Sequence, residues 1–549
     1  MVKNEKSSVA QEKLGYYQKR LLILLMLSSV PNCFASLQFL IIQFTPDHHC
    51  DVRGLGDSNV TSKETNLNAS IPFVMENEVM VRSSCLMFNS SAPGTNNTVQ
   101  CEAYQYEGIE TSIITEFNLV CGKKWKQPML LTSYFVGKLF GGLTGGILSD
   151  RFGRRPIFLI FTLWHFLSAI FLSFTTNIYT YAFMLFISGC GTLVNFVAAI
   201  LIGYETISSE RRTLVYSAVE MGYGIGYMIL PLIGFYFRHW RWYLRFTGLL
   251  GIVYIPYYWY IDESIYWLVG TGKPERAQKI RNKIAVTNGE AIRDRDVKDH
   301  DAAEFEGLNI WTSIREMTKH WTLLYRLFIF QFAWFVCSMT YYTIALNTNS
   351  LSGDRFLNML YAGITEVVSA ILYYIWSEAW GRRRAYVGTM IITAVSVASA
   401  PLFVLWSPTL VTITTMFSKL AVSLCYNIIY GYTGEVFPTA TRQTVLGISA
   451  SSARIGSMIS PYIIYASNTT STFAPCIATA ALNLISALLA LLLPTTRNKA
   501  LPSTVHEALL LKSECTLSCC SGGKDKNEKP LDVDKEHKIG VSTESQTML

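Results

Sequence analysis

The phrase Ser149-Asp150-Arg151-Phe152-Gly153-Arg154-Arg155 closes one long apolar stretch. Ser377-Glu378-Ala379-Trp380-Gly381-Arg382-Arg383 closes another, 228 residues further on. A second motif keeps nearly the same interval: Glu205 and Arg212, seven apart, recur as Glu435 and Arg442 at an offset of 230. Two unrelated motifs repeating at one spacing mark a duplicated unit. Each unit is several apolar segments long, which is how many membrane transporters are built.

Around these motifs the chain is depleted in charge. Of its 549 residues, 50% are hydrophobic and 15% charged, against about 25% charged in soluble domains. A run of about 20 apolar residues crosses the hydrocarbon core as a helix. Twelve such runs are present: 21–44, 127–148, 157–174, 179–203, 214–237, 243–261, 325–346, 356–376, 386–406, 410–432, 443–465 and 472–493. The expected fold is an all-α membrane protein, with twelve transmembrane helices in two pseudo-symmetric six-helix bundles and an extracellular loop domain.

The net charge of +7 does not point to nucleic acid, because the basic residues gather in alternate short loops. These hold Arg151, Arg154 and Arg155, then Arg211 and Arg212, then Arg382 to Arg384, then Arg442. Short loops rich in Lys and Arg stay cytoplasmic, and each of these follows an even-numbered helix. Residues 1–20, with Lys13, Lys19 and Arg20, the linker 264–324 and the tail 496–549 are therefore expected in the cytoplasm. The first helix occupies 21–44, helices two to six 127–263 and helices seven to twelve 325–495. The first apolar run is too long for a cleavable signal and lacks a small-residue cleavage site. A multi-pass plasma-membrane protein with both termini inside is expected.

Residues 45–126 form a large insertion after the first helix. It carries sequons at Asn59, Asn68, Asn89 and Asn96, and cysteines at Cys50, Cys85, Cys101 and Cys121. Sequons need a lumenal or extracellular surface, and four cysteines there read as two disulfides with three connectivities open. Asn468 is a fifth sequon, close to the membrane. The polar tail ends in Thr547-Met548-Leu549, a pattern that fits strand addition to a PDZ domain with capture of the carboxylate. Cys515, Cys519 and Cys520 are candidate palmitoylation sites or plain thiols.

Ionisable residues within the spans are the sharpest functional signal, because they are costly there and face a cavity. They are Lys138, Glu220, Glu366, Lys419 and Arg454. Lys138 precedes Asp150 by twelve residues, Glu366 precedes Glu378 by twelve, and Arg454 follows Arg442 by twelve. At 1.5 Å per residue all three sit about 18 Å from the cytoplasmic end, near the middle of a core roughly 30 Å thick. Charges of both signs at mid-depth suit a polar or ionic organic solute. Trp334, Tyr341 and Tyr342 in helix seven and Tyr426 and Tyr430 in helix ten offer faces for an ammonium group. In the loop motif, Gly153 permits a tight turn, Asp150 can pair with an arginine or cap a neighbouring helix, and the arginines hold the loop inside. With Arg151, Arg154, Glu205, Arg212, Glu378, Arg382, Glu435 and Arg442 it forms a candidate two-state latch. Gly137, Gly141 and Gly145, and Gly222 and Gly226, are spaced for close helix packing. His165 reads as a packed histidine. There is no ATP loop, HExxH or GxSxG, so the expected protein is not an enzyme and needs no metal or cofactor.

These residues resemble the major facilitator superfamily, and within it the organic cation, organic anion and carnitine transporters (solute carrier family 22). The resemblance covers roughly residues 15–510. It rests on the cysteine-bearing loop, GILSDRFGRR at 146–155, GYMILPL at 226–232, HWRWYL at 239–244, YTGEVFPTATRQ at 432–443, ARIGSMISPY at 453–462 and ALPSTVHEA at 500–508. It implies a cavity lined by helices 1, 4, 7 and 10, with helices 2 and 11, and 5 and 8, facing each other across the halves. Lys138 would then lie near Arg454 and Glu220 near Glu366. A zwitterion could bridge the two walls, its carboxylate toward Arg454 and its ammonium toward Glu366. The implied function is secondary-active or facilitative transport of small organic ions by alternating access, with organic cations or zwitterions such as carnitine as substrates and sodium or proton coupling open. An organic anion exchanger is the alternative, and a ligand-sensing scaffold with a transporter fold is the alternative from another class. The chain departs from the family pattern at Tyr266, Val368 and Thr495. Cation members carry an acid where Arg454 stands, and anion members a base in helix eight, where this chain has Glu366.

Overall fold

The structure is a computed structural model that describes residues 14–51, 70–76, 79–88, 97–207, 211–290, 315, 317–404, 406–469, 473–497, 502 and 504–511. The four loop sequons, Cys515, Cys519, Cys520 and Thr547 to Leu549 lie outside the described residues, as do the side chains of Arg212, Glu378 and Asn468.

Among the described residues twelve principal helical segments follow one another. These are α1 (Tyr16–Leu37, resumed as Phe39–Ile42), α2 (Lys126–Phe152), α3 (Arg154–Leu172), α4 (Ile178–Thr206), α5 (Arg212–Tyr236) and α6 (Trp240–Leu249). The second half holds α7 (Trp321–Asn347), α8 (Arg355–Ala379), α9 (Arg382–Phe403), α10 (Pro408–Val436), α11 (Thr439–Thr469) and α12 (Phe473–Ala490). Local chemistry sets several starts. The Asn177 and Asp354 side chains accept the first backbone N–H groups of α4 and α8, meeting donors a helix leaves unpaired, and Pro408 opens α10, where its missing N–H is no loss. Gly153 (φ +105°) and Gly381 (φ +77°) make the turns after α2 and α8, in a region that disfavours a side chain.

Among the described residues nine helices are long and apolar enough to cross a membrane. α2 and α11 have the length, but glycine, serine and Lys138 or Arg454 dilute them. The sequence reading of one continuous sixth helix over 243–261 is corrected. That stretch is α6, a 3-10 turn Leu250–Tyr254 and a short helix Tyr257–Tyr260. Pro256 lacks the N–H a continuing helix needs.

The duplication is physical. In the first half α1 packs on α5 and α4, and α4 on α2 and α3. In the second, α7 packs on α11 and α10, and α10 on α8 and α9. Each pair maps onto its counterpart, and the correspondence holds at single residues. A Cβ on Gly226 would lie 2.6 Å from the Val30 carbonyl oxygen, and one on Gly456 well under 3.0 Å from that of Phe335. Gly226 and Gly456 are 230 apart, Val30 and Phe335 305 apart. The larger offset reflects the loop domain inserted after α1. At the position equivalent to Gly222, the Ser452 hydroxyl donates to the Gln331 carbonyl at 2.9 Å.

The halves meet along α2 with α11 and α5 with α8. Contact is tight at the end bearing the loop domain. The Thr132 hydroxyl donates to the Met458 carbonyl at 3.3 Å, and Asn349 Nδ2 to that of Leu40 at 2.9 Å. Toward the other end, where the arginine motifs lie, a Cβ on Gly146 of α2 or Gly447 of α11 would meet nothing within 4 Å. Both glycines thus have open space on the side where a side chain would stand.

The loop domain contains β1 (His48–Cys50), β2 (Phe73–Glu76), β3 (Val79–Arg82), β4 (Leu86–Phe88), β5 (Thr98–Gln100) and β6 (Tyr104–Tyr106). They pair as three antiparallel ribbons, β1–β6, β2–β3 and β4–β5. Isolated two-stranded ribbons are marginal, and disulfides Cys50–Cys101 and Cys85–Cys121 tie them together. This selects one of the three connectivities. His48, Cys85 and Cys121 cluster, but the two sulfurs are spent on one disulfide. Arg355, at the start of α8, pairs with Glu110 at 2.5 Å and lies 3.7 Å over the Phe44 ring, so the loop region is tied to the second half.

The beginning of the tail is not merely polar. Val505–Leu510 is helical, with Ala508 and Leu511 buried. Buried Arg326 of α7 donates to the carbonyls of Ala508 at 2.8 Å and Leu511 at 2.6 Å, capping that helix's unpaired acceptors.

Candidate functional site

A cavity of about 590 Å³, its mouth included, lies between the halves. Its polar lining comes from side chains at helical spacing: Asn32 and Ser36 on α1, Ser423 and Asn427 on α10. Residues four apart share a helix face. Such polar pairs in an apolar run were the overlooked signal for these positions. Tyr223 and Tyr430 also line the cavity.

Four charged residues line it: Lys138 from α2, Glu220 from α5, Glu366 from α8 and Arg454 from α11. Lys138 Nζ donates to Ser36 Oγ at 3.0 Å and lies 4.9 Å from the Tyr134 ring and 5.9 Å from the Tyr342 ring. Glu366 accepts from Lys419 Nζ at 2.6 Å. Arg454 is 6% exposed, and its Nε has no hydrogen-bond partner. A buried guanidinium donor without an acceptor is costly and marks where an anionic group would be welcome.

Charge arithmetic sharpens the picture. Lys419 offsets Glu366, which leaves Lys138 and Arg454 on one wall and Glu220 on another. Tyr341, Tyr342 and Tyr426 also line the cavity. Two of the proposed contact residues stand elsewhere. Lys419 is 1% exposed and lies behind the wall, against Glu366 and 3.2 Å from the Tyr341 ring centre. Trp334 is fully buried and donates its indole N–H to Thr433 at 3.0 Å. It braces Tyr430, at 4.3 Å between ring centres, and Tyr426, at 5.8 Å. An indole needs both a large apolar slot and an acceptor, and the α7–α10 interface supplies them. His165 is packed, with Nε2 2.8 Å from the Pro31 carbonyl oxygen.

The repeated motifs interlock within each half. Arg154 Nη1 is 2.8 Å from Asp150, and Arg154 Nε is 3.2 Å from Glu205. In the second half Arg382 Nε reaches Glu435 at 2.5 Å and Nη1 donates to the Tyr373 hydroxyl at 2.9 Å. Each glutamate is thus joined to the arginine of the other motif. Glu263 accepts from the backbone N–H groups of Arg154 at 2.9 Å and Arg155 at 3.1 Å, a carboxylate at the positive end of α3. Trp267 donates to the Asp150 carbonyl at 2.7 Å. Glu263 and Trp267 thus hold this turn, while Tyr266 between them is exposed.

The sequence profile of the Major Facilitator Superfamily matches residues 125–372 and 356–523. The chain is 29% identical over 529 residues to organic cation/carnitine transporter 2 of Homo sapiens, covering 91% of this chain and 92% of the relative. It is 29% identical to the organic cation transporter protein of Drosophila melanogaster, covering 90% and 92%. Among solved structures it resembles the xylose transporter XylE from E. coli in a partially occluded inward-open conformation. The TM-score is 0.60 at 15% identity, covering 88% of this chain and 100% of that one, a likeness of fold alone.

Proposed function

This chain belongs to the Major Facilitator Superfamily, and from that premise we propose that it carries small organic zwitterions or cations, of the carnitine type, across a membrane by alternating access. The observation that carries this reading is the central cavity with Arg454 and Lys138 on one wall and Glu220 on another. A carboxylate would take the guanidinium and ammonium of the first wall. A substrate ammonium would lie toward Glu220 among the tyrosine faces, where Coulomb and cation–π attraction add. The sequence reading aims the ammonium at Glu366; the bond of Glu366 to Lys419 makes Glu220 the better partner.

Transport would follow from relative movement of the halves around this site. The arginine end would face the cytoplasm by the positive-inside rule. The loop domain would then lie outside at the plasma membrane, its sequons glycosylated. The latches would re-pair as that end closes. Sodium or proton coupling, and docking of Thr547–Leu549 on a PDZ domain, belong to the same proposal.

Purified protein in liposomes tests it. Saturable uptake of labelled carnitine, tetraethylammonium or an aromatic carboxylate, with and without sodium, is the expected result. Arg454→Ala should weaken carboxylate-bearing substrates and Glu220→Gln ammonium-bearing ones. Binding without flux would instead favour a ligand-sensing scaffold, and uptake of the aromatic carboxylate alone an organic anion exchanger.

A further inference from the structure

The wall of the cavity already contains the kind of site a substrate ammonium would seek, and the chain's own lysine fills it. Lys419 Nζ lies 2.6 Å from Glu366 Oε1, 3.2 Å from the centre of the Tyr341 ring and 5.7 Å from that of Tyr227. A carboxylate flanked by aromatic faces is the general chemistry of ammonium recognition. Glu366 and Tyr341 face the cavity and Lys419 does not. It reaches both from behind, at 1% exposure.

Resting on the transport reading above, we propose that Lys419 is a specificity-determining positioning residue: an internal cation that cancels Glu366 and sets the cavity against permanent monocations, in favour of solutes carrying a carboxylate. With Glu366 cancelled, the remaining cavity charges are Lys138, Arg454 and Glu220. A quaternary ammonium entering the site meets two cations and one available anion. A zwitterion or an anion has a partner for its negative end. The pair sits on α8 and α10, both in the second half, so it travels with that half and remains intact through relative movement of the halves. Glu220 sits across the interface on α5. Discrimination is thus built by adding a repulsive element, the usual way to reject a near-match.

The test uses the full chain in proteoliposomes and in detergent. Flux and ligand-induced thermal shift are both read for tetraethylammonium, carnitine and benzoate. Lys419→Met should raise the preference for tetraethylammonium over carnitine by roughly 10- to 100-fold, the low end of what a close buried charge pair supplies. Lys419→Arg, which keeps the charge, should retain the wild-type preference, a rescue that a purely packing role would not give. Glu366→Gln should move the preference the other way, toward benzoate. The neutral double variant Glu366→Gln/Lys419→Met should return to within about twofold of wild type, because the site charge is restored. If Lys419→Met does not fold, the comparison of Glu366→Gln with the double variant decides alone. An unchanged preference in Lys419→Met, or equal preferences in Glu366→Gln and the double variant, overturns the proposal. Ligand-induced shifts without flux in the wild type would overturn transport, while the shift ratios would still decide the role of Lys419.

Discussion

The glycines at the closest helix approaches make a sharp test of the packing. At Gly222 of α5, a Cβ would sit well under 3.0 Å from the Met26 carbonyl oxygen of α1. Backbone cannot swing aside as a side chain can, so Gly222→Ala must push α1 and α5 apart. Overpacking of a tight core costs about 1–3 kcal/mol. Gly388 of α9 is the control, since a Cβ there would meet nothing within 4 Å. Alanine is favoured over glycine inside a helix by roughly 0.5–1 kcal/mol, so Gly388→Ala should be neutral or stabilising. The pair is compared by thermal unfolding in detergent, followed by tryptophan fluorescence, with Gly456→Ala expected to behave like Gly222→Ala. Equal melting temperatures for Gly222→Ala and Gly388→Ala would refute the close approach of α1 and α5.

Three other expectations follow from particular contacts. Arg454→Ala should weaken binding of a carboxylate-bearing solute by roughly 10- to 100-fold, read as a shift in half-saturating concentration, with tetraethylammonium little affected. Arg326→Ala leaves the Ala508 and Leu511 carbonyls without their donors, at a cost of about 1–3 kcal/mol per buried group left unpaired; the 505–511 segment should become a site of limited proteolysis while the helix bundle stays intact. Peptide mapping without reduction should join Cys50 to Cys101 and Cys85 to Cys121, and any other pairing would refute the arrangement of the three ribbons.

Sequence alone determined the duplication, because Gly153 and Gly381 must each sit at a left-handed turn and an arginine must follow each. It singled out the charged residues within the helices as well, since an ion in an apolar run announces itself. It could not say which charges face the solute. Lys138 and Lys419 read alike as lysines in apolar runs, yet one lines the cavity and the other stands behind Tyr341. The two glutamates likewise differ only through their partners, with Lys419 claiming Glu366. Nor could spacing reveal that Glu205 pairs with Arg154 and Glu435 with Arg382, because each pair bridges two motifs more than fifty residues apart. Helical periodicity carries information only along one helix. Which side chains meet is decided by how neighbouring helices cross, and that is fixed by packing among residues distant in the chain.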